Sequence, residues 1–158
     1  MSEWTPEQRR WLRGGLAVLA LTPALVGIWA TVSPKGFYDT FPGAGHHWVS
    51  ALPPYNEHLL RDYAAANLGF LVLLGFAAVV MERRLVQGAL AAYAAAGIPH
   101  LAYHLTTTGD YATSDNVVSL VSLALLVVAP LYLLWLTRPH TASRRRSRPA
   151  IAARGGGA

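Results

Sequence analysis

Residues 53–62 read PPYNEHLLRD and run directly into an apolar stretch that continues to Met81. Between residues 56 and 62 the chain places an amide, two carboxylates, an imidazole and a guanidinium. Ionisable groups at the mouth of a membrane-spanning helix are costly to place there, which makes them candidates for function. This stretch therefore predicts both the start of a membrane span and the position of a site.

The composition is that of a polytopic membrane protein. Hydrophobic residues make up 53% of the 158 residues and charged residues only 13%, and the charges lie in a few clusters. Four apolar stretches, at about 14–33, 59–81, 85–105 and 117–137, are long enough to cross a bilayer as helices. We therefore predict an all-α fold, an integral membrane four-helix bundle.

The chain divides into three parts. Residues 1–13 form a cytoplasmic amphipathic lead, and residues 14–137 form the four-span membrane domain. The first loop of this domain, residues 33–56, is rich in glycine, proline and aromatic residues. So many aromatic residues argue against disorder, and we expect this aromatic-rich extracytoplasmic loop to fold over the membrane surface. Residues 138–158 form a basic cytoplasmic tail that we expect to be disordered.

The distribution of lysine and arginine predicts the orientation. The lead carries three, the turn between the second and third spans two and the tail six, whereas the first loop carries only Lys35. Because basic residues accumulate on the cytoplasmic side, we expect both termini to be cytoplasmic in a multi-pass protein of the cell inner (plasma) membrane. The net charge of +5 belongs to these flanks, so we expect the lipid bilayer, and no nucleic acid, as a partner.

Two pairs of polar residues mark the second and third spans. His58 and Asp62 are four residues apart, as are His100 and His104, so each pair shares one face of its helix. Two histidines on one face, level with a carboxylate, favour a site over a structural role. The chain has no cysteine, which excludes disulfides and thiolate metal sites.

The short turn between these spans makes them antiparallel neighbours and fixes their relative depth. At 1.5 Å per residue, Asp62 lies about 30 Å along its helix from Glu82, and His104 lies about 29 Å from Leu85. The two side chains therefore come level at the outer face. The candidate pocket residues are Asn56, Glu57, His58, Arg61, Asp62, His100 and His104.

Each of these groups also has a structural interpretation. Asn56 is a good N-cap, and Glu57 with Arg61 has the spacing of an ion pair within one helix. His58 with Asp62 has the spacing of a second such pair. The two histidines of the third span are also suited to hydrogen bonds with loop carbonyl groups.

Three chemistries fit the predicted pocket, and the residues do not choose among them. His58, Asp62, His100 and His104 are a ligand set for a divalent metal ion. Haem ligation is a second possibility, although two histidines one turn apart on one helix do not reach opposite axial positions. The third is acid–base or proton-relay chemistry, in which Arg61 holds an anionic headgroup or a quinone. We assign no catalytic residue and leave open whether the protein is an enzyme.

The motifs around these residues resemble those of a group of small four-span bacterial membrane proteins. The pattern is FYD at 37–39, FPG at 41–43, YNEHL at 55–59 followed by RD, and then PH at 99–100 and YH at 103–104. The general plan is also similar, more loosely, to the DoxX-like set of four-helix membrane proteins. Some of those are linked to quinone-coupled or thiol-related redox complexes. The resemblance covers roughly residues 11–137 and implies the fold. The chain has no cysteine, so the resemblance does not extend to thiol chemistry.

Two functional hypotheses follow. The first is a small integral membrane protein whose outer-face His/Asp/Glu pocket binds a metal ion or a small polar or lipidic ligand in a redox role. The alternative is a non-catalytic membrane subunit, whose polar helix start docks a partner protein. A membrane-protein partner and a homo-oligomer are both compatible with these hypotheses.

Overall fold

A computed structural model of the chain describes residues 4–52, 54–107 and 111–138. Within these ranges the chain forms five helices and one short antiparallel hairpin. The four longest of these helices are each long and apolar enough to cross a membrane, which confirms the all-α class and the four candidate spans. The helices are α1 (Pro6–Val32), α2 (Pro34–Thr40), α3 (Glu57–Val80), α4 (Arg83–Thr106) and α5 (Thr113–Leu136), and the strands are β1 (Pro42–Gly43) and β2 (His46–His47).

α1 begins well before the first predicted span. Thr5 caps it by accepting a hydrogen bond from the backbone N–H of Gln8 (3.2 Å), and the Gln8 side chain accepts one from the Thr5 N–H (3.0 Å). This reciprocal capping starts the helix at Pro6, so most of the predicted lead is the first part of α1. The disordered tail predicted over 138–158 lies outside the described residues, except for Arg138.

α3 passes into α4 through a tight reversal. Met81 is buried and takes a left-handed conformation (φ 54°) that ends α3. The Glu82 carboxylate then caps α4 by accepting the N–H of Leu85 (2.7 Å). Hydrogen bonds from the backbone of Arg84 and Leu85 lower the pKa of Glu82 below its ordinary value.

The long helices pack as two pairs. α1 contacts α3 along most of its length, and α4 contacts α5 in the same way, whereas α3 and α4 contact each other less. Glycine permits close approach within each pair, because a Cβ at Gly27 would lie 3.0 Å from the backbone nitrogen of Leu68, and one at Gly97 would lie 3.1 Å from Val127. The short turn therefore makes α3 and α4 antiparallel neighbours without making them each other's main partner.

The molecule has two ends of different construction. Arg13 in α1 donates to the carbonyl of Ala78 in α3 (3.1 Å), and Arg83 in α4 donates to the carbonyl of Thr137 after α5. These contacts bring the start of α1 to the end of α3, and the start of α4 to the end of α5. We call this the arginine end (residues 4–16, 78–88 and 133–138) and the opposite one the cap end (residues 29–52, 54–63, 100–107 and 111–119).

Two separate apolar clusters correspond to these ends. The cluster towards the arginine end draws buried residues from all four long helices, among them Leu16, Leu74, Leu90 and Leu133. The cluster at the cap end is formed by α1, α2, α3 and the residues that follow α2, and no described residue of α4 or α5 belongs to it. The four long helices therefore share one core only in the half that ends in arginines.

The segment from residue 33 to residue 52, which we call the cap, is folded. It contains α2 and the hairpin, elements that the sequence patterns did not predict, and the peptide bond between Phe41 and Pro42 is cis. Phe37 is buried beside Phe41, with ring centroids 4.7 Å apart, and the Phe41 ring lies 6.1 Å from that of Trp48. Both phenylalanine rings also contact Trp29 of α1, at 5.7 and 6.1 Å, and Leu60 of α3 belongs to the same cluster, so the cap is held against the end of α1 and the start of α3.

Candidate functional site

The start of α3 has the local interactions expected of a capped helix. The Asn56 side chain accepts the N–H of Leu59 (3.1 Å), which makes it the N-cap. Glu57 and Arg61 form an ion pair at 2.8 Å, with both side chains about half exposed. The structure therefore confirms the contacts that the structural interpretation predicts for Asn56, Glu57 and Arg61.

His58 and Asp62 form the second pair on α3. The imidazole lies 3.5 Å from the carboxylate, and 90% of the His58 side chain and 65% of the Asp62 side chain are exposed. Exposed pairs of this kind contribute little to stability. Both groups are consequently available to a ligand or partner that approaches the outside of α3.

His100 and His104 lie together on one face of α4. Their ring centroids are 5.0 Å apart, as their spacing along the helix predicts. His104 is buried, with 8% of its surface exposed, whereas His100 is exposed. The His104 ring contacts the ring of Tyr111, which precedes α5, at 5.9 Å.

One ring contact joins α4 to α3 at this level. Tyr63 lies edge-on to His100, with centroids 6.5 Å apart. Tyr63 follows Asp62 directly, so the depth predicted for the α4 histidines relative to α3 agrees with the structure to within about one helical turn. The side chain that reaches α4, however, is that of Tyr63.

The predicted ligand set therefore lies as two pairs: His58 with Asp62 on α3, and His100 with His104 on α4. Within the described ranges, no group of three or more His, Cys, Asp or Glu side chains is placed to hold a metal ion. The metal hypothesis stays a prediction that would need ligands from elsewhere.

Two contacts that the sequence did not predict join the cap to α5. His46 at the hairpin lies 2.8 Å from the Asp115 carboxylate, and the hydroxyl of Tyr111 donates to the carbonyl of Trp48 (3.0 Å). The N-cap of α5 is Ala112, without a side-chain hydrogen bond, and Asp115 lies in the first turn of this helix. No sequence signal identifies the pair, because its two members are brought together only by the folding of the cap.

A cation lies among aromatic rings where the cap meets α3. The Lys35 ammonium is 5.6 Å from the ring centroids of both Tyr38 and Tyr55 and forms an ion pair with Asp39. Burial raises the pKa of Tyr55, and the neighbouring Glu57 carboxylate raises it further. This contact network connects the cap to the first turn of α3.

The cap end thus gathers imidazole and phenol groups between α3 and α4, in the half of the molecule where the helix pairs do not share an apolar core. Imidazole and phenol both donate and accept hydrogen bonds. Both kinds of side chain can therefore bind a polar group. No protein-family model, curated protein or solved structure matches this chain.

Proposed function

We propose that the protein is a small multi-pass membrane protein that binds a small polar or lipidic ligand at the cap end, between α3 and α4. The observation that carries the proposal is the row formed by Tyr63, His100 and His104. It lies within membrane-spanning helices, where ionisable side chains are expensive and usually functional.

The chemistry of this row favours an amphiphile. His100 and Tyr63 are both exposed on the sides of their helices, so a ligand reaches them laterally from the bilayer. A headgroup with carbonyl or hydroxyl oxygens, such as a quinone-like ring, accepts hydrogen bonds from these two side chains while its tail stays among the lipids. The redox role implied by the DoxX-like resemblance is part of this proposal.

The proposal extends to the placement of the molecule. The four long helices form a bundle in the inner (plasma) membrane, with the arginine end cytoplasmic and the aromatic cap outside. The arginine end carries six of the eight described lysine and arginine residues, and basic residues collect on the cytoplasmic side. Both termini are then cytoplasmic.

A divalent metal is a less favoured ligand. His100 and His104 supply two nitrogen ligands, and the described residues hold no third ligand in a group with them. A structural or catalytic zinc site normally takes three or four protein ligands.

The second candidate is a non-catalytic membrane subunit that docks a partner protein or a second copy. The exposed start of α3 favours it, because Glu57, His58, Arg61 and Asp62 all leave much of their side chains open. A partner of complementary charge would meet this surface without needing the α4 histidines.

Two variants separate the candidates. The protein is purified in mild detergent, its bound molecules are extracted and identified by mass spectrometry, and metals are measured on the same sample. We expect an organic amphiphile at close to one per chain, lost in His100→Ala and kept in His58→Ala. Loss in His58→Ala alone would move the site to the start of α3. An empty wild-type protein whose co-purifying partner disappears in His58→Ala would favour docking.

A further inference from the structure

The charges of the molecule are divided between its two ends. Among the described residues, the arginine end holds six arginines against Glu7 and Glu82, whereas the cap end holds Lys35 and Arg61 against four carboxylates. Glu82 is already engaged as the N-cap of α4. The arginine end therefore has a large positive excess that its own carboxylates do not balance.

Two of these arginines serve the helices themselves. Arg13 and Arg83 donate to carbonyl groups at the ends of α3 and α5, where a cation is favoured by the helix dipole. Arg9 and Arg10 differ, because both are exposed and neither forms an ion pair with any described residue. They present uncompensated charge at the start of α1.

Arg10 lies four residues before Gly14 on one face of α1, and this face continues into an aromatic and then an apolar surface, whereas Arg9 lies on the side of Leu12 and Leu16. Trp11 is 66% exposed, and one turn further along, a Cβ added at Gly14 would meet no atom within 4 Å. Val18 and Leu21, at the following turns, are also exposed. Opposite to this face, Leu12 and Leu16 are fully buried in the shared core, so the exposed face is held in a fixed orientation.

This sequence of groups matches the layers of one phospholipid. Guanidinium groups bind a phosphate, tryptophan favours the level of the headgroup and glycerol, and exposed aliphatic side chains contact an acyl chain. We propose that the first turns of α1 form a binding site for an anionic phospholipid, with Arg10 on the headgroup and Trp11 at its base, while Arg9 adds positive charge at the same level of the helix. The site is independent of the ligand proposed for the cap end.

The test compares lipid selection by charge-matched variants. The protein is reconstituted into nanodiscs of phosphatidylcholine with one fifth phosphatidylglycerol, and the lipids that stay bound after transfer to detergent are counted by native mass spectrometry. We expect phosphatidylglycerol to be enriched over its share in the mixture. The Arg9→Gln/Arg10→Gln variant should lose most of that enrichment, so that bound phosphatidylglycerol falls to about its share in the mixture, whereas Lys35→Gln/Arg61→Gln, which removes two cap-end charges, should leave it unchanged.

A charge-retaining variant and a competition with phosphate complete the test. Arg9→Lys/Arg10→Lys retains the charges and should retain the enrichment, which separates lost binding from lost folding. Inorganic phosphate at the ionic strength of a sodium chloride control should not displace the lipid. Equal loss of enrichment in both double Gln variants, no enrichment in the wild type, or specific displacement by phosphate would each overturn the proposal.

Discussion

The arginine end and the cap end hold the four long helices together by different means. Towards the arginine end, buried leucines from both helix pairs form one apolar core, while Arg13 and Arg83 make their hydrogen bonds within a pair. At the cap end, the apolar cluster belongs to one pair and the cap, and polar contacts such as His46 with Asp115 cross to the other. Apolar packing joins the pairs at one end, and polar contacts join them at the other.

This difference is the reason that we place the proposed ligand site at the cap end. Close packing of all four helices leaves no space between the pairs, because a packed interior is as dense as an organic crystal. Where the pairs meet through side-chain contacts such as that of Tyr63 with His100, less free energy is needed to separate them and admit a ligand.

The largest expected effect comes from truncating one leucine of α3 in each of the two apolar clusters. Leu74 is fully buried in the shared core, and Leu60 is buried in the cap-end cluster. We expect Leu74→Ala to lower the free energy of unfolding by about 3 kcal/mol and to raise hydrogen exchange in all four long helices. Leu60→Ala should lower it by about 2 kcal/mol and raise exchange in α1, α2 and α3. Unfolding in mixed micelles and hydrogen exchange measured by mass spectrometry provide both readouts.

The comparison between the ends fails if Leu60→Ala raises exchange in α4 and α5 as much as Leu74→Ala does. The two substitutions remove the same atoms from the same helix, which controls for helix propensity and for the effect of the detergent. A difference in which helices respond therefore reports the extent of each cluster.

Local features of the helices were predictable from the sequence, because they depend only on spacing along one helix. Apolar stretches of bilayer length predicted the four spans, and the contacts of Asn56, Glu57 and Arg61 follow from positions three and four residues apart. The neighbouring histidines of α4 follow from the same geometry.

Contacts between distant parts of the chain were not predictable. The short turn predicted α3 and α4 as neighbours, but Gly97 of α4 lies against α5, and a Cβ at Gly69 of α3 would meet no atom within 4 Å. A short turn fixes the ends of two helices without deciding which face each one turns to the other. His46 and Asp115 meet only because the cap folds as it does, and no periodicity encodes that.

An intermediate effect is expected where α1 and α3 approach most closely. A methyl group at Gly27 would lie 3.0 Å from the backbone of Leu68, which cannot move without shifting α3. We expect Gly27→Ala to lower the free energy of unfolding by about 2 kcal/mol and to loosen the cap, which rests on both helices. Thermal unfolding in detergent with near-ultraviolet circular dichroism measures both effects.

Gly69→Ala is the matched control for this substitution, because the added methyl group would meet open space. It should leave stability unchanged or raise it by up to about 1 kcal/mol through helix propensity. If the two alanine variants behave alike, the close approach of α1 and α3 does not hold the first pair together, and the two-pair description is wrong.

The smallest effect on stability, and the most local, is expected at the His46–Asp115 contact. His46→Gln and Asp115→Asn should each lower the free energy of unfolding by less than about 1 kcal/mol, because the pair is partly exposed. They should nevertheless widen the distance between the cap and α5.

Since the chain has no cysteine, spin labels on cysteines introduced at Ala44 and Val121 report this distance alone. The double variant should widen it no further than either single one, because each substitution removes the same contact. Unchanged distances in all three variants would mean that the His46–Asp115 contact does not hold the cap to α5, and the hydrogen bond from Tyr111 to the carbonyl of Trp48 would be the next contact to remove.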